Sequence, residues 1–151
     1  MADRTALFID LVRVETRLYN LVEARVRDRH PGVSLGQLQI LRLIADVPGC
    51  RVSDIVADID ITVGAASKAV DRLEAAGYCR REAHPSDRRS SVLVLTEQGE
   101  RELADAWPAV GAAVGGLLAG AVPPADLDHA ARTLAQLRGA LERAAAQGSR
   151  A

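Results

Sequence analysis

Aromatic residues make up only 3% of this 151-residue chain, so its core has to be built from Leu, Val, Ile and Ala. Cysteine occurs twice, at Cys50 and Cys79, too few and too far apart for a disulfide framework. No CxxC pair or His/Cys cluster suggests a metal site. Long hydrophobic runs are also missing: nothing approaches the roughly 20 apolar residues of a membrane span. The N-terminal MADRTALFIDLVRVE mixes charge into its apolar pattern. Without a signal peptide or span, the expected location is the cytoplasm and no membrane partner is expected. An excess of either charge is lacking too. A net charge of -1 and a pI near 6.3 argue against coating nucleic acid by bulk positive charge, so any DNA binding must come from locally concentrated base.

Catalytic constellations are equally scarce. Ser-His-Asp chemistry needs a buried, oriented histidine, whereas His30, His84 and His129 fall at an apparent helix end, a turn and the surface of a late helix. The glycines of GAAVGG follow alanine-rich helix rather than a strand, which excludes a phosphate-binding loop. The chain reads as a non-enzyme without cofactor.

What is present is an ordinary balance of 48% hydrophobic and 26% charged residues in one domain-sized unit. A first helix is expected from about Ala6 to Arg29, striped by Leu7, Leu11, Val14, Leu18, Leu21 or Val22, and Val26, and broadened by Phe8, Ile9, Val12 and Tyr19. That much apolar surface calls for a second subunit. His30, Pro31 and Gly32 end the helix, and Ser34 caps the next. Cys50 to Val52 is expected to form a short strand, and Ser53 to cap a helix of Asp54 to Asp58. Beyond residue 96, Thr96 caps a helix running through Leu103 and Trp107, with a kink expected near Pro108. The glycine-rich GAAVGGLLAGAV is poor in helix propensity, and helical only if its small residues permit close packing. After Pro123 and Pro124 a last helix, roughly Ala125 to Ala146, aligns Leu127, Ala131, Leu134, Leu137 and Leu141.

The centre of the chain is the stretch from Ile61 to Thr96. Thr62 to Ala76 reads as a helix capped by Thr62, with Val63, Ala66, Val70 and Leu73 on its apolar face and Gly64, Ala65, Ser67, Lys68 and Arg72 on the other. Lys68 is the sole lysine of the sequence. Gly77 stops the helix, and Tyr78 to Ala83 and Ser91 to Thr96 read as strands joined by a turn holding Pro85, Ser86 and Asp87, with Arg88 and Arg89 at or just after it. A helix with a small, polar outer face can approach the floor of a major groove, and an arginine-tipped hairpin can reach the flanking minor groove. The expected fold is mainly α with a small β-wing: a winged helix-turn-helix over residues 34–96, flanked by dimerisation helices over 6–29 and 97–146.

The strings SKAVDRLEAAGYCRR, HPSDRRS and LTEQGE resemble the recognition helix, wing and following helix of the MarR family of bacterial transcriptional regulators. The Asp-x-Arg of the wing with the following Leu-Thr is matched by Asp87, Arg89, Leu95 and Thr96. This resemblance implies a homodimer that reads a pseudo-palindromic operator in double-stranded DNA, usually as a repressor released by a small anionic or phenolic effector. It implies that Arg89 enters the minor groove and that Asp87 shapes the wing. The candidate DNA-binding set is Thr62, Gly64, Ala65, Ser67, Lys68, Arg72, Arg88 and Arg89. Arg13, Arg17 and Trp107 are candidate effector-lining residues, each with a surface or packing role as its alternative.

Two other readings compete. Cys50 and Cys79 would serve a redox sensor if the strand at residue 50 paired with the wing, although peroxide-sensing relatives place their reactive cysteine in the first helix, where this chain has none. A dimerisation module using the winged helix for protein contacts is the other. For Lys68 and for the Arg88–Arg89 pair the ordinary alternative is a solvated surface charge; for Arg72 it is an ion pair with Glu74 or Asp87.

Overall fold

A computed structural model describes residues 3–148, with Arg88 and Arg89 described by their backbone alone. It contains helices α1 (Arg4–Arg29), α2 (Leu35–Asp46), α3 (Val52–Ile59) and α4 (Val63–Ala75), strands β1 (Cys79–His84) and β2 (Asp87–Leu95), and helices α5 (Glu97–Leu118) and α6 (Pro124–Gly148). The described residues fall into two compact units that divide between Val114 and Gly115.

Side-chain caps set most helix starts. Asp3 accepts from the Thr5 amide ahead of α1. Ser34 and Gln37 cap α2 reciprocally, each side chain accepting from the other's backbone amide, as the sequence leads one to expect for Ser34. A second tie fixes this helix to α1: the Glu23 carboxylate accepts from the Leu35 amide at 2.6 Å. The core of the first unit then forms from α2 (Leu35, Leu38, Ile40, Leu41, Ile44), Ile55 of α3, Ala66, Val70 and Leu73 of α4, Val92 and Leu93 of β2, and Leu103 and Ala106 of α5. Each such leucine contributes about 1.5–3 kcal/mol through burial.

Three local expectations are corrected. The strand at Cys50 to Val52 does not form: the Cys50 carbonyl accepts one hydrogen bond from the Leu93 amide at 2.7 Å, and the Asp54 carboxylate accepts from the Arg51 amide at 2.7 Å, so α3 starts at Val52 with Arg51, not Ser53, in the cap position. The second wing strand begins at Asp87 rather than Ser91. The tip is tighter than expected because the Ser86 amide donates to the His84 ring, leaving Pro85 and Ser86 between the paired His84 and Asp87. Val63 is 64% exposed, since the first turn of α4 precedes the point where Ala66 meets the core. The glycine-rich run is helical as far as Leu118, α5 continues through Pro108, and Gly120 follows at φ +75°.

On α1 only the C-terminal end is buried, at Val22 and Val26. Leu7, Phe8, Ile9, Leu11, Val12, Val14 and Leu21 are exposed in the single chain. On α6, Leu134, Leu137 and Leu141 are exposed too.

A knot of hydrogen bonds closes the wing against α5. Thr96 caps α5 by accepting from the Gly99 amide at 3.0 Å, its hydroxyl donates to the Gly77 carbonyl, and its amide donates to the Tyr78 carbonyl at 3.0 Å. Gly77 turns the chain between α4 and β1 at φ +78°. A Cβ on Gly99 would lie 1.9 Å from the Tyr78 carbonyl oxygen, so the backbones meet where no side chain fits.

Cys50 and Cys79 are buried free thiols. Burial is the main reason, with nearby carboxylates adding to it, that both are pushed up to about 11. A neutral, enclosed thiol is a poor nucleophile, which weighs against redox sensing.

Gly99→Ala should therefore cost about 1–3 kcal/mol or more in urea unfolding, whereas Gly111→Ala, where a Cβ meets nothing within 4 Å, should be neutral or stabilise by up to about 1 kcal/mol. Equal stabilities would contradict the close approach at Tyr78. Alkylation of Cys50 and Cys79 at pH 8 should be slow in the folded protein and fast in denaturant. Because the unfolded chain ionises its thiols first, their contribution to stability is present below about pH 9 and falls as pH rises towards 11; rapid labelling of the folded protein would contradict their burial.

Candidate nucleic-acid interface

Helix α4 is fixed in rotation by Ala66, Val70 and Leu73, all fully buried along one side. The opposite side holds Gly64, Ala65 and Lys68 in the open, with Ser67 half-buried, and Thr62 and Val63 are exposed at the N-terminal end of the helix, beyond the core. Thr62 caps the helix by accepting from the Ala65 amide at 3.2 Å. Helix geometry leaves the amides of Val63 and Gly64 without acceptors inside the helix, a ready donor pair for an anionic oxygen. No side chain blocks them at Gly64, where a Cβ would meet nothing within 4 Å.

Preceding α4, α3 ends at Asp60 in the left-handed conformation, φ 57° and ψ 49°, which reverses the chain so that the two helices pack as a helix-turn-helix. Beyond α4, β1 and β2 pair antiparallel from Cys79 opposite Leu95 to Ala83 opposite Ser91, with an irregularity before His84 pairs with Asp87.

Between Thr62 and Thr96 the chain carries six Lys or Arg against four Asp or Glu, a local positive balance inside a chain of net charge -1. Several of these charges are spent internally. Arg80 pairs with Glu82 on its own strand at 2.7 Å. Arg81 pairs with both Asp71 and Glu74 of α4. Its guanidinium is raised above the usual range even though burial alone would lower it, because the hydrogen bond to Asp71 and the charges of Glu74 and Asp71 outweigh that cost. Lys68 and Arg72 make no ion pair among the described residues. Arg72 lines a groove with Tyr19, Arg27, Ser34 and Ile61, towards the start of α2, and does not pair with Glu74. The side chains of Arg88 and Arg89 lie outside the described set; their backbones sit in β2 beside Asp87.

Two cavities flank a contact that the sequence did not single out. The Arg42 guanidinium lies over the Trp107 ring, 5.6 Å from its centroid, and its Nε pairs with Asp46 at 2.6 Å. One cavity of about 500 Å³ is walled by Arg42 and Ile44 of α2, Val94 and Leu95 of β2, and Glu100, Leu103 and Trp107 of α5. The other, about 570 Å³, lies between Glu15 and Tyr19 of α1, Arg42 and Asp46 of α2, Asp58 and Trp107. Burial, then Glu23 and Glu15, raises the Tyr19 hydroxyl above its ordinary value. Of the effector candidates, Trp107 is thus at both cavities. Arg13, paired with Asp10 at 3.7 Å, and Arg17 are exposed on α1 and line neither. Arg42 was missed because one arginine in LQILRLIAD reads as a solvated face. Val63 was missed because its β-branched side chain fits the apolar stripe.

Comparison with known proteins agrees with this architecture. The MarR family model matches residues 33–91, the reader itself. The HTH-type transcriptional regulator BilQ of Clostridium symbiosum is 34% identical over 46% of this chain, which spans about half (49%) of that relative. The transcriptional regulator HosA of Escherichia coli is 32% identical over 61% of this chain and 68% of its own. Among solved structures, the transcriptional repressor CouR bound to a 23-mer DNA duplex superposes with a TM-score of 0.76 at 27% identity, covering 85% of this chain and 89% of CouR. CouR from Rhodococcus jostii bound to p-coumaroyl-CoA gives 0.74 at 26% identity, covering 87% and 90%. With its reader matched by the family model and with a regulator at 32% identity spanned over two thirds of its length, this chain belongs to the MarR family.

Proposed function

We propose that this chain is a homodimeric, sequence-specific transcriptional regulator that binds a pseudo-palindrome in double-stranded DNA and is released from it by a small anionic or phenolic molecule. The observation that carries this reading is the open first turn of α4, with free helix amides, small residues and an unpaired lysine beside a two-stranded wing. In this reading residues 34–96 are the reader and the helices over 6–29 and 97–146 form the dimer.

Roles follow from position. Thr62, Ser67, Lys68 and Arg72 supply donors to phosphates or base edges, while Gly64 and Ala65 let the backbone come close. Val63 adds an exposed methyl surface suited to a thymine methyl. Arg88 and Arg89 are the wing's contribution, with Asp87 shaping the tip opposite His84. A second copy covers the apolar residues that α1 exposes, since seven large side chains in water on one helix exceed what a monomer ordinarily leaves uncovered. The DNA complex of CouR supports the DNA reading, and its p-coumaroyl-CoA complex supports an effector.

For the effector the roughly 500 Å³ cavity of α2, β2 and α5 is the better fit to an anion, because its wall is mostly apolar with one carboxylate, Glu100, and Arg42. The Arg42 Nε is paired with Asp46, while its terminal nitrogens pair with no other carboxylate among the described residues. The cavity beside α1 carries Glu15, Asp46 and Asp58. Arg42 therefore replaces Arg13 and Arg17 as the preferred charged partner beside Trp107. A regulator of this kind has no catalytic role and works in the cytoplasm; among the described residues no helix is long and apolar enough to cross a membrane.

Selection from a pool of random and genomic duplexes should enrich a two-fold-related sequence, and binding to it should weaken steeply with salt. Lys68→Ala should flatten the salt slope by about one if Lys68 meets a phosphate, or relax preference at one position at a cost of about 1–3 kcal/mol if it meets a base. Arg89→Ala should weaken binding and reduce the preference for a narrow, A·T-rich flank. Enrichment of no sequence over random duplex would overturn the reading.

A further inference from the structure

Only Ala76, Gly77 and Tyr78 separate α4 from β1, with Gly77 at φ +78°. The root of the hairpin is held where the Gly77 amide donates to the Glu74 carbonyl and the Tyr78 amide to the Leu73 carbonyl, both at 2.9 Å. A hairpin held only at its root can still tilt along its length. The hairpin extends about 20 Å from Tyr78 to its tip at roughly 3.4 Å per residue. A tilt of about 10° would carry that tip about 3.5 Å, one base-pair step along a DNA strand. Reading by helix and wing together therefore needs the angle between them to be held within a few degrees.

Among the described side chains, that of one strand residue reaches across this angle beyond the root. Arg81 is the third residue of β1, and its side chain is 29% exposed. Its backbone amide donates to the Glu74 carboxylate at 3.1 Å, its guanidinium donates to the other oxygen of Glu74, and its second terminal nitrogen donates to Asp71 at 2.7 Å. Asp71 and Glu74 stand three residues apart on α4, so they share a face of the helix. Three donors from one strand residue thus enter two carboxylates of the helix. The backbone bond fixes how far along the helix the strand sits, and the planar fork of the guanidinium fixes its tilt. Neighbouring Arg80 takes no part, being paired with Glu82.

We propose that Arg81 is a positioning residue that clamps the wing to the recognition helix through Asp71 and Glu74, so that the two read DNA at one fixed spacing, and that it does not itself touch DNA. This rests on the DNA-binding reading above. A phosphate role would require a phosphate to displace carboxylates that already occupy the guanidinium. A role in stability alone would leave spacing preference untouched.

The test uses a duplex selected by the parent protein from a random pool, together with versions in which one or two base pairs are inserted or deleted between the core half-site and its A·T-rich flank. The parent should lose at least about tenfold in affinity per single-pair shift. Arg81→Gln should bind the selected duplex more weakly and lose the spacing preference to within about threefold, with Arg81→Lys between the two. Asp71→Asn combined with Glu74→Gln should behave like Arg81→Gln although the arginine and its charge remain, and it keeps the test open if Arg81→Gln does not fold. Spacing preference retained in folded variants would overturn the clamp. So would a salt slope flattened by Arg81→Gln while the double carboxylate variant binds as tightly as the parent or more tightly, which would make Arg81 a phosphate contact. A parent that enriches no duplex would instead overturn the DNA-binding reading itself.

Discussion

Burial of Ala66, Val70 and Leu73 along one side of α4 sets the rotation of that helix about its axis, and the surfaces argued to meet DNA follow from that rotation. With those three side chains against the core, the amides of the first turn, Gly64, Ala65 and Lys68 are left facing water. The same packing places Asp71 and Glu74 where Arg81 of the wing can reach them. At the far end, Thr96 ties the returning strand to Gly77 and Tyr78 and starts α5. Helix, wing and the long helix beyond are in this way anchored within a few residues of one another.

Charge is arranged on the same local scale. The chain as a whole is slightly acidic, so attraction to DNA cannot come from its average field. Arg80 and Arg81 are neutralised within the stretch from Thr62 to Thr96, which leaves Lys68 and Arg72 as its described cations without an internal ion pair. A surface with few free cations favours binding in which shape and spacing contribute beside bulk attraction, and that gives an internal clamp between helix and wing its value. The buried thiols fit the same economy of chemistry. Cys50 and Cys79 fill small core positions, and their neutral state follows from enclosure.

Much of this was legible in the residues because it depends on local rules. Ser34, Thr62 and Thr96 are short oxygen-bearing side chains ahead of periodic apolar runs, and all three cap as that pattern implies. The apolar excess of α1 is visible as spacing, and so is the stop at Gly77. What stayed hidden depends on partners far along the chain. Cys50 makes a single bond to Leu93 where a strand was expected, because the Asp54 cap starts a helix first. Val63 looks like core until the first turn is found to lie beyond it. Arg81 spans ten residues to Asp71, and Arg42 meets Trp107 from another helix; no period or motif links either pair.

The central claim is that two copies of α4 lie in successive major grooves with a wing beyond each. Hydroxyl-radical footprinting of the duplex selected by the parent protein tests it most directly. The account predicts two protected patches related by a two-fold axis, centred about 34 Å apart, each bordered by a protected minor groove on its outer side. A single unsymmetrical patch, or uniform protection along the duplex, would contradict it.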